Sequence, residues 1–262
     1  MSGGLHNMDR LREERRSWFY FAIGIAIYGW SIYGVGFDPI DLVRGLPAMG
    51  NLFARMWPPD LAYVPTILPA FLETIKIALL STVVGGLLAI PIILLAARNI
   101  NRTIWLVYTV KAFLNLVRTL PDMLLAAIFV AALGVGALPG VMALAIFSFG
   151  IIAKLTSEST EAIDPGPIEA MEAVGARKLQ VIHFAVVPQI LPQFVAYCLY
   201  VFEINIRVAA VLGLVGAGGI GRLLLRDMNL LRYPQALTII IATFVLVAGL
   251  DFFSTKLRER LI

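Results

Sequence analysis

Few residues in this 262-residue sequence have the types and spacing that chemistry demands. Gly216, Gly218 and Gly221 stand in the pattern Gly-x-Gly-x-x-Gly, whose missing side chains let a backbone approach a pyrophosphate. That use requires a strand before the glycines, a helix after them and an acidic residue about 20 positions on, all within one βαβ unit. Just upstream, Glu203 and Arg207 are four residues apart and would share a helix face as an ion pair, with Asn205 between them. His6 and His183 are too few and too far apart for a metal site, and neither His-Glu-x-x-His nor Gly-x-Ser-x-Gly occurs. No catalytic residue, metal or bound cofactor is expected on this chain. Cys198 is the single cysteine, so no intramolecular disulfide forms.

The elements that must carry these residues are membrane helices. The chain is 60% hydrophobic and 15% charged, with a mean hydropathy of +0.87, well beyond the roughly half apolar content of soluble domains. Apolar runs near 17–37, 68–97, 105–134, 138–156, 189–210 and 235–254 approach or exceed the ~20 residues a helix needs to cross ~30 Å of hydrocarbon. Lipid cannot satisfy an open sheet edge, so the expected class is all-α integral membrane with about six spans. Lys111 and Arg118 in the third run imply that it starts along the membrane face before Pro121 redirects it.

Residues 1–16 form a polar, arginine-rich arm, and 17–262 form the membrane domain. The first apolar run is too long for a signal-peptide core and lacks a clear cleavage signature, so it is read as a retained span. With both termini cytoplasmic, twelve Lys and Arg fall on inner segments, among them Arg10, Arg12, Arg15, Arg102 and Arg260, against five on outer ones. The net charge of +4 is therefore loop asymmetry, and no basic, aromatic-interleaved surface points to nucleic acid. Two connections are long: 38–67, an outer loop or surface helix, and 157–187 on the inner side.

In this setting the glycine pattern has no strand, no βαβ unit and no P-loop lysine, so it does not bind a nucleotide. Gly213, Gly216, Gly218, Gly219 and Gly221 instead permit a helix to break at membrane depth, lining or gating a pathway near its outer end. Close helix packing through small residues is the competing reading. Glu203 and Arg207 must face protein or water, because an ionised group at the centre of a span costs ~2.5–3.5 kcal/mol. They are either a structural ion pair or, with Asn205, part of a translocation pathway in which Arg207 attracts an anion while Glu203 keeps that attraction weak.

The inner loop reads SESTEAIDPGPIEAMEAVGARKLQVIHFAVVP. Asp164-Pro165-Gly166-Pro167 starts a short amphipathic helix with Glu169 and Glu172 in its first turn, and Gly175 ends or bends it. Such a helix rests on lipid or its own bundle, or it serves a partner. Glu169-Ala170-Met171, three residues, Gly175, nine residues and Ala185-Val186-Val187-Pro188 resemble the EAA loop of ABC importer permeases. The stretches ETIKIALLSTVVGGLLAIP, LVRTLPDMLLA and FEINIRVAAVLGLVGAGGIG are similar to the membrane subunit of phosphonate importers over nearly all of 66–262.

The resemblance implies a type I ABC importer permease fold with a cytoplasmic coupling helix between spans 4 and 5. It also implies a homodimer with two ATPase subunits, which bind the ATP and Mg, and with an extracytoplasmic solute-binding protein. Glu169, Ala170, Met171, Gly175 and Pro188 would couple to the ATPase, and the chain would move phosphonate across the cytoplasmic membrane by alternating access. The rivals are the same fold serving phosphite, a phosphate ester or methionine, then an ion-coupled secondary carrier, and last a membrane enzyme.

Overall fold

The computed structural model describes residues 3–36, 38–101 and 103–259, with side chains from residue 16 onward except at 39. His6, Arg10, Arg12 and Arg15 as side chains, and Arg102 and Arg260 altogether, lie outside that description. The described secondary structure is entirely helical. Contacts divide the chain into two units, Met1–Ala54 and Arg55–Ile262.

The first unit holds α1 (Gly3–Val35) and nearly all of α2 (Pro39–Met56). The arm expected at 1–16 is helical from Gly3 and continuous with the first span. Within α1, Arg16–Val35 is long and apolar enough to cross a membrane, and none of that stretch is buried. The connection expected as a loop or surface helix contains α2, an 18-residue helix with Asp41 in its first turn and Arg55 in its last.

The second unit is built on α3 (Val64–Ala96), α6 (Ala137–Glu161), α9 (Val187–Leu212) and α11 (Tyr233–Arg258). With α1 and the pair α4 (Ile104–Thr119) and α5 (Asp122–Leu133), five candidate spans and one bent pair reproduce the six expected. The α4–α5 bend is 78°. Its cause is Pro121, which has no N–H to donate and forces Leu120 out of the helical region to φ −75°, ψ 120°.

The cores combine large apolar side chains with alanines and glycines that let helices approach closely. Ala89, Ile93, Leu114, Ile152 and Val201 join α3, α4, α6 and α9. Ile77, Ala126, Leu144 and Leu212 join α3, α5, α6 and α9 in a second cluster. A Cβ at Gly85 would stand 2.6 Å from Ser148 Cβ and 2.7 Å from the Phe149 nitrogen, so the α3 and α6 backbones are in direct contact.

Three shorter helices complete the second unit: α7 (Gly166–Ala173), α8 (Lys178–Val181) and α10 (Gly219–Asn229). A π-turn over Ile182–Val186 joins α8 to α9, and Val187 N–H donates to Ile182 O across it. Pro188, at the start of α9, cannot donate, and the wider turn accommodates that missing bond.

Candidate functional site

The expected inner loop is largely helix, and its hydrogen bonds explain its shape. At the start of α7, Gly166 N–H donates to Asp164 Oδ1 at 2.9 Å, an Asx turn. Asp164 N–H donates to Gln189 Oε1 at 3.1 Å, while Gln189 Nε2 donates to Asp164 O at 3.3 Å and Ala185 O at 2.8 Å. One amide on α9 thus ties the beginning of the loop to its end. Nothing in the sequence singles out Gln189 beyond its place after Pro188.

The end of α7 is a Schellman motif. Ala176 N–H donates to Met171 O and Gly175 N–H to Glu172 O, both at 3.0 Å, with Gly175 at φ +76°. A side chain at 175 would meet nothing within 4 Å, so the glycine is required by conformation and not by space. No α7 residue is buried; Glu169 and Ala170 are exposed and Met171 is half-buried. The helix therefore presents itself to whatever lies beyond the chain.

Just before α7, the last residue of α6 is bolted to the neighbouring spans. Lys111 Nζ donates to both oxygens of Glu161, at 2.7 and 2.8 Å, and Arg98 N–H donates to Glu161 Oε1 at 2.9 Å. Asn99 Nδ2 donates to Thr160 O at 2.6 Å. The end of α6 is thereby tied to α4 and to the residues that follow α3. Between Asn99–Asn101 and α7 lies a cavity of about 760 Å³ whose walls include Glu161, Ile168, Glu169 and Lys178.

The glycine segment is a genuine break. α9 ends at Leu212, a 3-10 turn covers Gly213–Val215, and Gly216, Gly218 and Gly219 take φ of +91°, +81° and +72°, the last of them as the first residue of α10. The freed backbone groups find partners: Ala217 N–H on Leu212 O (3.2 Å), Gly136 N–H on Gly216 O (3.0 Å) and Ile220 N–H on Thr74 Oγ1 (2.9 Å). Close packing is present as well. A Cβ at Gly213 would stand 2.6 Å from Gly218 O, and one at Gly221 would stand 2.1 Å from Ala210 O. Breaking and packing thus coexist, because glycines that fold the chain back on itself also bring its backbones together.

From the break, α10 runs alongside α3 toward its first residues. Fully buried Asp227 accepts from Tyr63 Oη at 2.8 Å and from Arg226 Nε at 3.0 Å. Thr74, which anchors the other end of α10, lies roughly 15 Å further along α3 at ~1.5 Å per residue. The break thus lies level with the first third of the 33-residue α3.

Glu203 and Arg207 do pair, with Arg207 Nη2 donating to Glu203 Oε1. Two residues not foreseen join them. Arg258 Nη2 donates to Glu203 Oε2 at 2.9 Å, and Asp251 lies 3.7 Å from Arg207. Asp251, an acid inside the sixth apolar run, is the sequence signal for this cluster; Arg258 gives none, being one of several cations at the chain's end. The Glu203 side chain is 11% exposed, whereas those of Arg207 and Asp251 are 48% and 45% exposed.

Asn205 sits apart from this cluster. It is fully buried, and its Nδ2 donates to Thr82 Oγ1 (2.8 Å) and Ser148 Oγ (2.7 Å), joining α9 to α3 and α6. Among the described residues no group of three or more His, Cys, Asp or Glu is arranged to hold a metal ion.

Residues 89–262 match the family described as binding-protein-dependent transport system inner membrane component. The chain is 40% identical over 226 residues to the phosphate-import permease protein PhnE of Mycolicibacterium smegmatis, covering 86% of this chain but only 42% of that protein. It is 34% identical over 222 residues to the phosphite transport system permease protein PtxC of Stutzerimonas stutzeri, covering 85% and 81% of the two chains. Among solved structures, a chain of the MetNI methionine ABC transporter in an inward-facing conformation superposes with a TM-score of 0.66 at 20% identity, over 78% of this chain and 99% of that one. This likeness concerns fold alone. An all-helical multi-pass chain with the type I ABC importer permease fold and matching relatives over most of its length belongs to the binding-protein-dependent inner membrane component family.

Proposed function

We propose that this chain is the permease subunit of an ATP-driven importer for a small tetrahedral phosphorus oxyanion, phosphonate being the one the sequence resemblance implies. Two copies form the pathway, two ATPase subunits grip their α7 helices, and an extracytoplasmic binding protein delivers the solute. Both termini lie on the cytoplasmic side, in keeping with the excess of Lys and Arg on inner segments. The chain itself catalyses nothing; ATP and Mg belong to the ATPase subunits. Relatives named for phosphate and phosphite support the substrate class.

The observation that carries the reading is α7: a short, capped helix with no buried residue, at the spacing of Glu169, Gly175 and Pro188 that the ATPase-coupling loop requires. A helix of eight residues is too short to persist on its own in water. Its Asx turn, its Schellman end and the Gln189 clasp hold it as a stiff lever joined through Glu161 to the spans. ATP-driven closure of the gripping subunits moves the two levers together, and the spans alternate their opening.

The pathway reading rests on the exposed half of the α9–α11 cluster. Arg207 and Asp251 are half exposed within helices that cross the membrane, and lipid is an unfavourable neighbour for such groups. That face therefore meets water or the second copy. With two guanidiniums and two carboxylates the cluster is neutral in sum, so a passing oxyanion is oriented by Arg207 without being trapped. Asn205 serves this face by fixing the register of α9, and the broken 213–221 segment serves as the movable constriction.

Replacing Glu169 with Ala tests the coupling assignment. Membrane insertion should remain intact while co-purification of the ATPase or ATP-driven uptake falls; wild-type levels of both would remove α7 from the mechanism.

A further inference from the structure

The helix α2 has an apolar ridge that nothing in its own unit covers. Leu42, Leu46, Met49 and Phe53 recur at i, i+4, i+7 and i+11, a single stripe on a 3.6-residue helix. They are 60%, 56%, 52% and 62% exposed. Arg44 and Asn51 occupy the opposite side and Asp41 the flank, and Arg44 pairs with Asp41 at 3.3 Å across an exposed helical turn. The helix is deliberately started: Asp38 Oδ1 accepts Ile40 N–H at 2.8 Å, Pro39 takes the first helical position and Asp41 follows in the first turn.

Its surroundings are fixed by what precedes it. The candidate span Arg16–Val35 has 20 residues, about 30 Å of helix, which matches the hydrocarbon thickness, and none of its window is buried against protein. Residues 36–38 are all that separate α1 from α2, so α2 begins no more than about 14 Å of extended chain from the end of that span. The chain therefore passes from a span-length apolar helix directly into a helix with one apolar side. With Asp41, Arg44 and Asn51 off the ridge, α2 is not one of the stretches apolar enough to cross. Lying flat satisfies both sides of such a helix beside the end of a span, since an amphipathic helix sinks its apolar side ~5–10 Å into the headgroup and acyl boundary.

We propose that α2 is an interfacial helix that rests in the bilayer surface next to α1, with Leu42, Leu46, Met49 and Phe53 among the acyl chains and Arg44 and Asn51 in water. Its partner is the lipid surface itself. The ridge holds the connection between the first two spans down on the membrane. This assignment is independent of the importer reading, because it uses only α1, α2 and their link.

Single spin labels at Arg44→Cys, Leu46→Cys, Met49→Cys, Asn51→Cys and Phe53→Cys, in full-length chain carrying Cys198→Ser and held in lipid nanodiscs, test it. Cys198 is the only native thiol, so one substitution clears the background. Labels at 46, 49 and 53 should be several-fold more accessible to oxygen than to a water-soluble nickel chelate, with the order reversed at 44 and 51. Labels at 46, 49 and 53 open to the chelate would overturn the proposal. So would labels closed to both reagents, because protein, such as a second copy of the chain, would then cover the ridge.

Discussion

Replacing Gly175 with Ala isolates one physical quantity, the cost of a left-handed residue. The backbone there has φ +76°, and an added Cβ meets no heavy atom within 4 Å, so the methyl group causes no clash. What remains is the penalty for placing an L-residue in that region, ~1–2 kcal/mol. At ~1.4 kcal/mol per factor of ten, this amounts to roughly a 5- to 30-fold shift against the capped form of α7. Nothing absorbs the loss, because the helix has eight residues, none of them buried. The assay is titration of the ATPase subunit onto nanodisc-held chain, with ATP-driven uptake measured at limiting ATPase. Apparent ATPase affinity should fall by up to that factor for Gly175→Ala, further for β-branched Gly175→Val, and least for Gly175→Asn, since Asn tolerates the left-handed region. Equal affinities for Gly, Ala and Val would refute the reasoning. An Asn variant as damaged as Ala would show that bulk at the partner surface, not backbone conformation, decides the outcome.

Arg207→Ala should lower uptake more than it lowers assembly of the complex; purified variant complexes transporting at the wild-type rate would remove Arg207 from the pathway. Asn205→Ala deletes two interhelical hydrogen bonds while Thr82 and Ser148 still donate to Ala78 O and Leu144 O. It should cost ~1–2 kcal/mol of stability, read as a lower melting temperature in detergent, and an unchanged melting curve would contradict its role as an interhelical tie. Gly221→Ala places a Cβ 2.1 Å from Ala210 O, a backbone atom that cannot swing aside, so the yield of folded chain should drop sharply; a variant that folds and melts like the wild type would show that the break is not packed as described.

What the sequence displayed was whatever depends on neighbours along the chain. Span number follows from apolar length, the α4–α5 bend from Pro121, and the end of α7 from a glycine after an amphipathic turn. The break at 213–221 was visible for the same reason, since five glycines in nine positions following an apolar run are hard to place in an unbroken helix. What it concealed was pairing across long separations. Lys111 carries no mark of Glu161, 50 positions away, and Glu203 gives no hint that Arg258 will share its carboxylate with Arg207. Asn205 illustrates the ambiguity most clearly: a polar residue between two charges suggests a wet surface, yet the helical repeat turns it 200° from one neighbouring position to the next but one, into a buried tie. The neighbour of the break was hidden as well, because Thr74 and Ile220 are 146 positions apart and only the fold sets them side by side.

The central claim is that the energy for transport enters through α7 from a separate ATP-hydrolysing subunit. Uptake of a phosphorus oxyanion into proteoliposomes, with ATP and without any ion gradient, tests it most directly. The account predicts accumulation only when this chain is reconstituted with its ATPase subunit and binding protein, abolished when ATP is withheld. Uphill accumulation by this chain alone, driven by an ion gradient with no ATPase present, would contradict it.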